Sequence, residues 1–204
     1  MVVGKWDRSV IVSYLGVAIS CVGMYFAIST HRHDYACVCL ILAGICDMLD
    51  GFVARSIKHR STADKQFGIE LDSVADVVDF IALPIVIVCT LGVVDWYEII
   101  PLIIFAICGV ARLAYFNTTA IKTDGPVKIY HGLPVTFTSV VLPIMFLIFS
   151  LFVPSVLKEM LLITMLLIAI LNVLDVYIPK PKPKHYPVFI LLAIVAVSLL
   201  LVAL

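Results

Sequence analysis

Seven apolar stretches, each near the length needed to cross a bilayer, dominate this chain and leave little room for any other kind of fold. A spanning helix needs about 20 mostly apolar residues. Residues 10–29 carry no charge, and residues 35–55 are apolar as far as Asp47. Residues 71–94 are apolar after Asp79, and residues 99–116 contain one charge, Arg112. Residues 133–153, 160–178 (with Asp175) and 186–204 complete the set. A signal peptide is the alternative for the first stretch. Its apolar run exceeds the about 7–15 residues of such a segment, and no convincing cleavage site follows. The expected fold is an all-α integral membrane bundle of about seven transmembrane helices, with residues 1–204 forming one domain.

Lysine and arginine placement sets the expected orientation. With the N-terminus in the cytoplasm, the inner side receives twelve basic residues: Lys5, Arg8, Arg55, Lys58, Arg60, Lys65, Arg112, Lys122, Lys128, Lys180, Lys182 and Lys184. The outer side receives two, Arg32 and Lys158. The C-terminus then lies outside. Charged residues make up only 14% of the chain, against about 25% in a soluble domain. Net charge is zero, so bulk electrostatics points to no nucleic-acid partner. The six cysteines fall in apolar runs without zinc or disulfide spacing and read as buried hydrophobes. His31-x-His33 has a spacing that could suit a metal, but a solvated outer loop is the simpler reading.

Charges inside membrane helices are costly, so they direct attention to function. The second span ends Asp47-Met48-Leu49-Asp50-Gly51-Phe52-Val53-Ala54-Arg55, and the third opens Gly68-Ile69-Glu70-Leu71-Asp72-Ser73-Val74-Ala75-Asp76. Asp47 and Asp50 share one helix face, and Asp72 and Asp76 share another. Asp47 lies about 12 Å deeper than Arg55 at 1.5 Å per residue. Antiparallel neighbours joined by an inner loop bring these faces together. An aspartate at mid-helix costs roughly 2.5–3.5 kcal/mol on insertion scales, and close carboxylates repel unless cations lie between them. Clustered oxygens suit Mg²⁺ or Mn²⁺, and two such ions about 4 Å apart can clamp a pyrophosphate. Gly51, Ala54 and Gly68 leave the helix surface bare for a nucleotide. Caps and interfacial charges are the plainer reading. It suits Glu70 and Asp72 near a helix start but not Asp47 and Asp50 near a helix end.

The run of Asp47, Asp50, Gly51, Ala54, Arg55, Gly68, Asp72 and Asp76 resembles the signature of the CDP-alcohol phosphotransferase family. The loop of residues 56–67 is longer than the family's pattern and carries Lys58, His59 and Arg60. The chain is most similar to the phosphatidylserine synthase branch. The similarity lies in residues 67–76, in Arg112-Leu113-Ala114-Tyr115-Phe116-Asn117, in Gly132-Leu133-Pro134 and in Tyr177-Ile178-Pro179-Lys180. Asp79-Phe80-Ile81 stands where that branch tends to have Ser-Phe-Gly.

The resemblance implies a six-helix family core plus a C-terminal span. It implies transfer of a phosphatidyl group from CDP-diacylglycerol to serine, giving phosphatidylserine and CMP. Asp47, Asp50, Asp72 and Asp76 would hold two divalent ions, with Asp76 also the general base. Asp50, Gly51, Ala54, Arg55, Gly68 and Asp72 would meet the CDP-lipid, and Asp79 and Arg112 the acceptor. The site would face the cytoplasm from the inner membrane among membrane lipids, and the resemblance leaves room for a homodimer. Another acceptor (glycerol 3-phosphate, an inositol phosphate or another alcohol) is the alternative. A transporter or channel is the remote one, because paired broken helices in two similar halves are missing from the sequence.

Overall fold

The computed structural model describes residues 4, 6, 10–56, 61–120, 129–179 and 186–203. Helix α1 (Ile11–Tyr25) passes into a π-helical turn at Phe26–Thr30, and α2 (His33–Ser56) returns beside it. The reversal takes two residues. His31 adopts the left-handed conformation (φ 52°), and Arg32 N–H donates to Phe26 O at 3.1 Å, closing the helix end.

The α1–α2 pair approaches closely because α1 turns a stripe of small residues inward: Ser13, Gly16, Ser20 and Gly23. A Cβ on Gly23 would sit 2.8 Å from Cys39 Cβ, and one on Gly16 would sit 3.5 Å from Cys46 Cβ. Small residues at helical spacing are how helices pack where lipid removes the hydrophobic drive between them.

Helix α3 (Thr62–Val77), a π-helical turn (Val78–Ala82) and α4 (Leu83–Cys89) form one continuous rod. The rod starts six residues before Gly68 because Ser61 and Asp64 form a reciprocal capping box. Pro84 has no N–H to offer Phe80 four residues back, and the wider π turn lies where that helical bond is missing. At the rod's far end Thr90 Oγ1 lies 3.1 Å from His33 Nε2.

Helices α5 (Ile99–Ala120), α6 (Thr138–Phe152), α7 (Leu157–Val173) and α8 (Tyr186–Ala203) complete the bundle. Short 3₁₀ turns at Val135–Phe137 and Pro154–Val156 lead into α6 and α7. Two strands, β1 (Ile129–His131) and β2 (Tyr177–Pro179), pair antiparallel with Tyr130 opposite Ile178. This corrects the expected sixth span: α7 ends at Val173, so exposed Asp175 lies beyond it and residues 177–179 are strand. Leu174 is already extended, and its N–H closes the helix on Ile170 O.

Phe80, Phe105, Leu40, Leu83, Leu142, Leu161 and Met165 are fully buried, whereas Phe152, Ile107, Leu191 and Val202 stand exposed. Apolar side chains on the outside as well as the inside fit a lipid solvent. Among the described residues five segments are long and apolar enough to cross a membrane: Ile11–Thr30, His33–Val53, Ile99–Thr118, Val135–Phe152 and Pro154–Val173. The α3–α4 rod is long but interrupted by Asp72, Asp76 and Asp79, and α8 has a shorter apolar run, Ile190–Val202. The chain is an all-α integral membrane protein.

Candidate active site

Helix register delivers the carboxylates. His33 at the start of α2 meets Thr90 just after α4, so antiparallel counting sets Asp47 level with Asp76 and Asp50 level with Ser73. On the other flank, Cys46 packs against Gly16. One turn on, Ser13 Oγ donates to Asp50 Oδ2 at 2.8 Å. Oxygens of Asp47, Asp50 and Asp72 come within 4.8 Å of one another, all half-buried. They line one cavity with Ser13, Gly16, Cys46, Ala75, Asp76 and Asp79. Asp76 is 9% exposed and Asp79 3%.

Three of the four expected metal ligands thus converge as one group. Asp76 joins them along the cavity wall, outside the close triad. Half-buried carboxylates at this spacing repel strongly unless a cation lies among them. Hard oxygen donors of this number and charge fit Mg²⁺ or Mn²⁺. Gly51 in α2 and Gly68 in α3 are half-buried on the helices that carry the triad. The side chains of Ala54 and Arg55 lie outside the described residues, as do residues 57–60, 121–128 and 180–185. The expectations for Lys58, His59, Arg60, Lys122, Lys128 and the basic 180–184 segment therefore lie outside them too.

Asp79 sits in the π turn, its Oδ2 facing the bare surface at Gly16, where a Cβ would come within 2.9 Å. Arg112 is 6% exposed in α5, with its guanidinium carbon 5.5 Å from the Phe116 ring centre, and it does not line the aspartate cavity. Helix α5 nevertheless flanks the site, since Asn117 Nδ2 donates to Ser73 Oγ at 2.8 Å. The sequence reading missed Ser13 and Gly16. The signal was present in the small residues at 13, 16, 20 and 23 within an otherwise bulky span.

Residues 9–171 match the CDP-alcohol phosphatidyltransferase family, and that segment contains every carboxylate of the cavity. The chain belongs to this family. It is 35% identical over 163 residues to the CDP-diacylglycerol–serine O-phosphatidyltransferase of Methanocaldococcus jannaschii, covering 79% of this chain and 70% of that one. It is 40% identical over 104 residues to the protein of the same name from Saccharomyces cerevisiae, covering 48% of this chain but 36% of the yeast one. The archaetidylserine synthase of Methanothermobacter thermautotrophicus is 36% identical over 108 residues, covering 52% and 43%. The chain thus spans under half the length of two of these three relatives.

Proposed function

We propose that this member of the family transfers a phosphatidyl group from CDP-diacylglycerol to the hydroxyl of L-serine, forming phosphatidylserine and releasing CMP. The observation that carries the reading is the convergence of Asp47, Asp50 and Asp72 within 4.8 Å in a cavity that Asp76 also lines.

Asp47, Asp50 and Asp72, with Asp76 alongside, are the residues that would hold Mg²⁺ or Mn²⁺. Two such ions, when bound, neutralise pyrophosphate charge and stabilise the departing CMP oxygen. Gly51, Ala54 and Gly68 give the nucleotide room, while Arg55 balances phosphate charge. Asp76 takes the proton from the serine hydroxyl as that oxygen attacks the lipid-linked phosphorus. A new O–P bond forms, the P–O bond to CMP breaks, and the alcohol proton ends on Asp76. Asp79 lies deeper in the same cavity and suits the acceptor's ammonium group, and Arg112 is the second acceptor contact.

Serine is favoured over a phosphorylated acceptor because the latter needs a cluster of basic residues, whereas none of the described residues lining the cavity is basic and a single arginine, Arg112, is assigned to the acceptor. The names of the relatives point the same way. The lysine and arginine asymmetry supports a cytoplasm-facing site in the inner membrane. Residues 1–204 acting as one unit, and pairing as a homodimer, belong to the same proposal. The test is CMP release by the purified protein from CDP-diacylglycerol with a panel of acceptors. Serine-dependent release is expected. Release with glycerol 3-phosphate or an inositol phosphate instead would reassign the acceptor, and none with any alcohol would end the transferase reading.

A further inference from the structure

A second polar site lies between α5 and α7. The two helices run parallel, tied at the end far from the aspartates by Lys158 Nζ on Glu98 Oε1 at 2.5 Å. Fourteen residues beyond that pair stand Arg112 on α5 and Asn172 on α7. Fourteen residues make just under four turns, so both return to the faces that form the pair, about 21 Å along. Between them those faces are apolar and buried, through Leu102 and Phe105 on α5 and Met165 and Ile168 on α7.

Residues 132–135 bridge the two helices at this depth. Leu133 N–H donates to Leu171 O at 2.9 Å, and Val135 packs beside Gly109, one turn before Arg112. Gly132, at φ +79°, lies so close that a Cβ there would meet Asn172 O at 2.5 Å.

Asn172 is 1% exposed, and neither Nδ2 nor Oδ1 has a hydrogen-bond partner among the described residues. A buried amide with both ends unmet is costly and rare in native interiors. A ligand that meets both ends removes the penalty. The amide offers two N–H donors, and the guanidinium at the same depth offers charge and a planar donor fork. Together they match a carboxylate, with Asn172 Oδ1 left to accept from a neighbouring ammonium or hydroxyl.

We propose that Asn172 is a specificity-determining residue that binds the α-carboxylate of an amino-acid acceptor together with Arg112. This rests on the serine reading above and deepens it: the acceptor is selected by its carboxylate as well as its hydroxyl. A site built to hydrogen-bond a polar group discriminates strongly against analogues lacking it, because its own groups are then left unmet.

The test uses the full chain in lipid nanodiscs with CDP-diacylglycerol and Mn²⁺, and compares Asn172→Ala and Asn172→Asp with the wild type. Both variants are expected to raise the serine KM about tenfold or more, the loss of one charge-assisted hydrogen bond, with the KM for CDP-diacylglycerol unchanged. Asn172→Asp keeps the side chain's size but buries a charge, so a purely structural role would lower stability and disturb both substrates together, not the serine KM alone. A recognition role makes it the worse variant, by setting a carboxylate against a carboxylate. Serine should also raise the thermal midpoint of the wild type and not that of Asn172→Asp. An unchanged serine KM in Asn172→Asp, or a parallel rise in the KM for the CDP-lipid, overturns the assignment while leaving the serine reading intact. A wild type that releases no CMP with serine overturns the serine reading, and this assignment with it.

Discussion

Ser13 Oγ on α1 donates a 2.8 Å hydrogen bond to Asp50 Oδ2 on α2, so a helix with no charge of its own orients a member of the carboxylate triad. Hydrogen bonds to a charged group contribute about 1.5–3 kcal/mol. Ser13→Ala should therefore raise the Mn²⁺ concentration for half-maximal activity by about tenfold, with a smaller change in the rate at saturating metal. A metal titration of CMP release reads both, and an unchanged midpoint would remove Ser13 from the site.

Gly16 and Gly23 occupy the same α1 stripe but should fail in different ways. A methyl on Gly16 meets Asp79 Oδ2 at 2.9 Å, so Gly16→Ala should displace that carboxylate and lower turnover by at least about tenfold. A methyl on Gly23 meets Cys39 Cβ at 2.8 Å and Leu83 Cδ1 at 3.0 Å, far from the aspartates. Gly23→Ala should cost about 1–3 kcal/mol in stability, the usual range for overpacking, and leave the kinetics of the folded fraction alone. Thermal midpoints measured beside kcat separate the two. Equal kinetic damage from both would mean that the stripe acts only through packing.

Asp47→Ala, Asp50→Ala and Asp72→Ala should each bring CMP release to background in a folded protein, because each opens the triad. Chelation with EDTA should do the same, reversed by Mg²⁺ or Mn²⁺, and chelator-insensitive turnover would dismiss the metal site. Asp76→Asn should differ. CDP-diacylglycerol binding, read by titration calorimetry, should persist while transfer falls by about 10²–10⁴, the range for losing a general base. Near-normal turnover would move that role to Asp79.

The Glu98–Lys158 pair makes stability depend on pH. Glu98 lies just before α5 and bonds Lys158 Nζ and the Val94 N–H, and the ammonium holds its carboxyl below the ordinary value. A group whose pKa is depressed in the folded state stabilises it above the unfolded pKa, about 4.3 for glutamate. That contribution disappears as pH falls through the folded value. The thermal midpoint of the wild type should exceed that of Glu98→Gln at neutral pH, and the gap should close on acidification below about pH 4. A gap that stays constant would show that the charge of Glu98 adds nothing.

The apolar runs, their spacing and the Asp47 to Asp76 pattern determined the membrane bundle and its carboxylate cluster from sequence alone. Runs of that length leave a helix as the structure that can satisfy every backbone group in lipid, and carboxylates at intervals of three and four share a helix face whatever packs against it. Helix limits were less legible. The capping box at Ser61 and the extended backbone at Leu174 are local devices that hydropathy does not register. Which aspartates converge was a matter of register between helices. Ser13 reaches Asp50 only because Gly16 and Gly23 let α1 and α2 approach closely. Asp76 stands beside the triad because the rod runs unbroken from its cap to Thr90. Asn172 carried no sequence signal, since one polar residue near a helix end is ordinary. Only packing of α7 against α5 and residues 132–135 buries it, and burial is what makes an unmet amide costly.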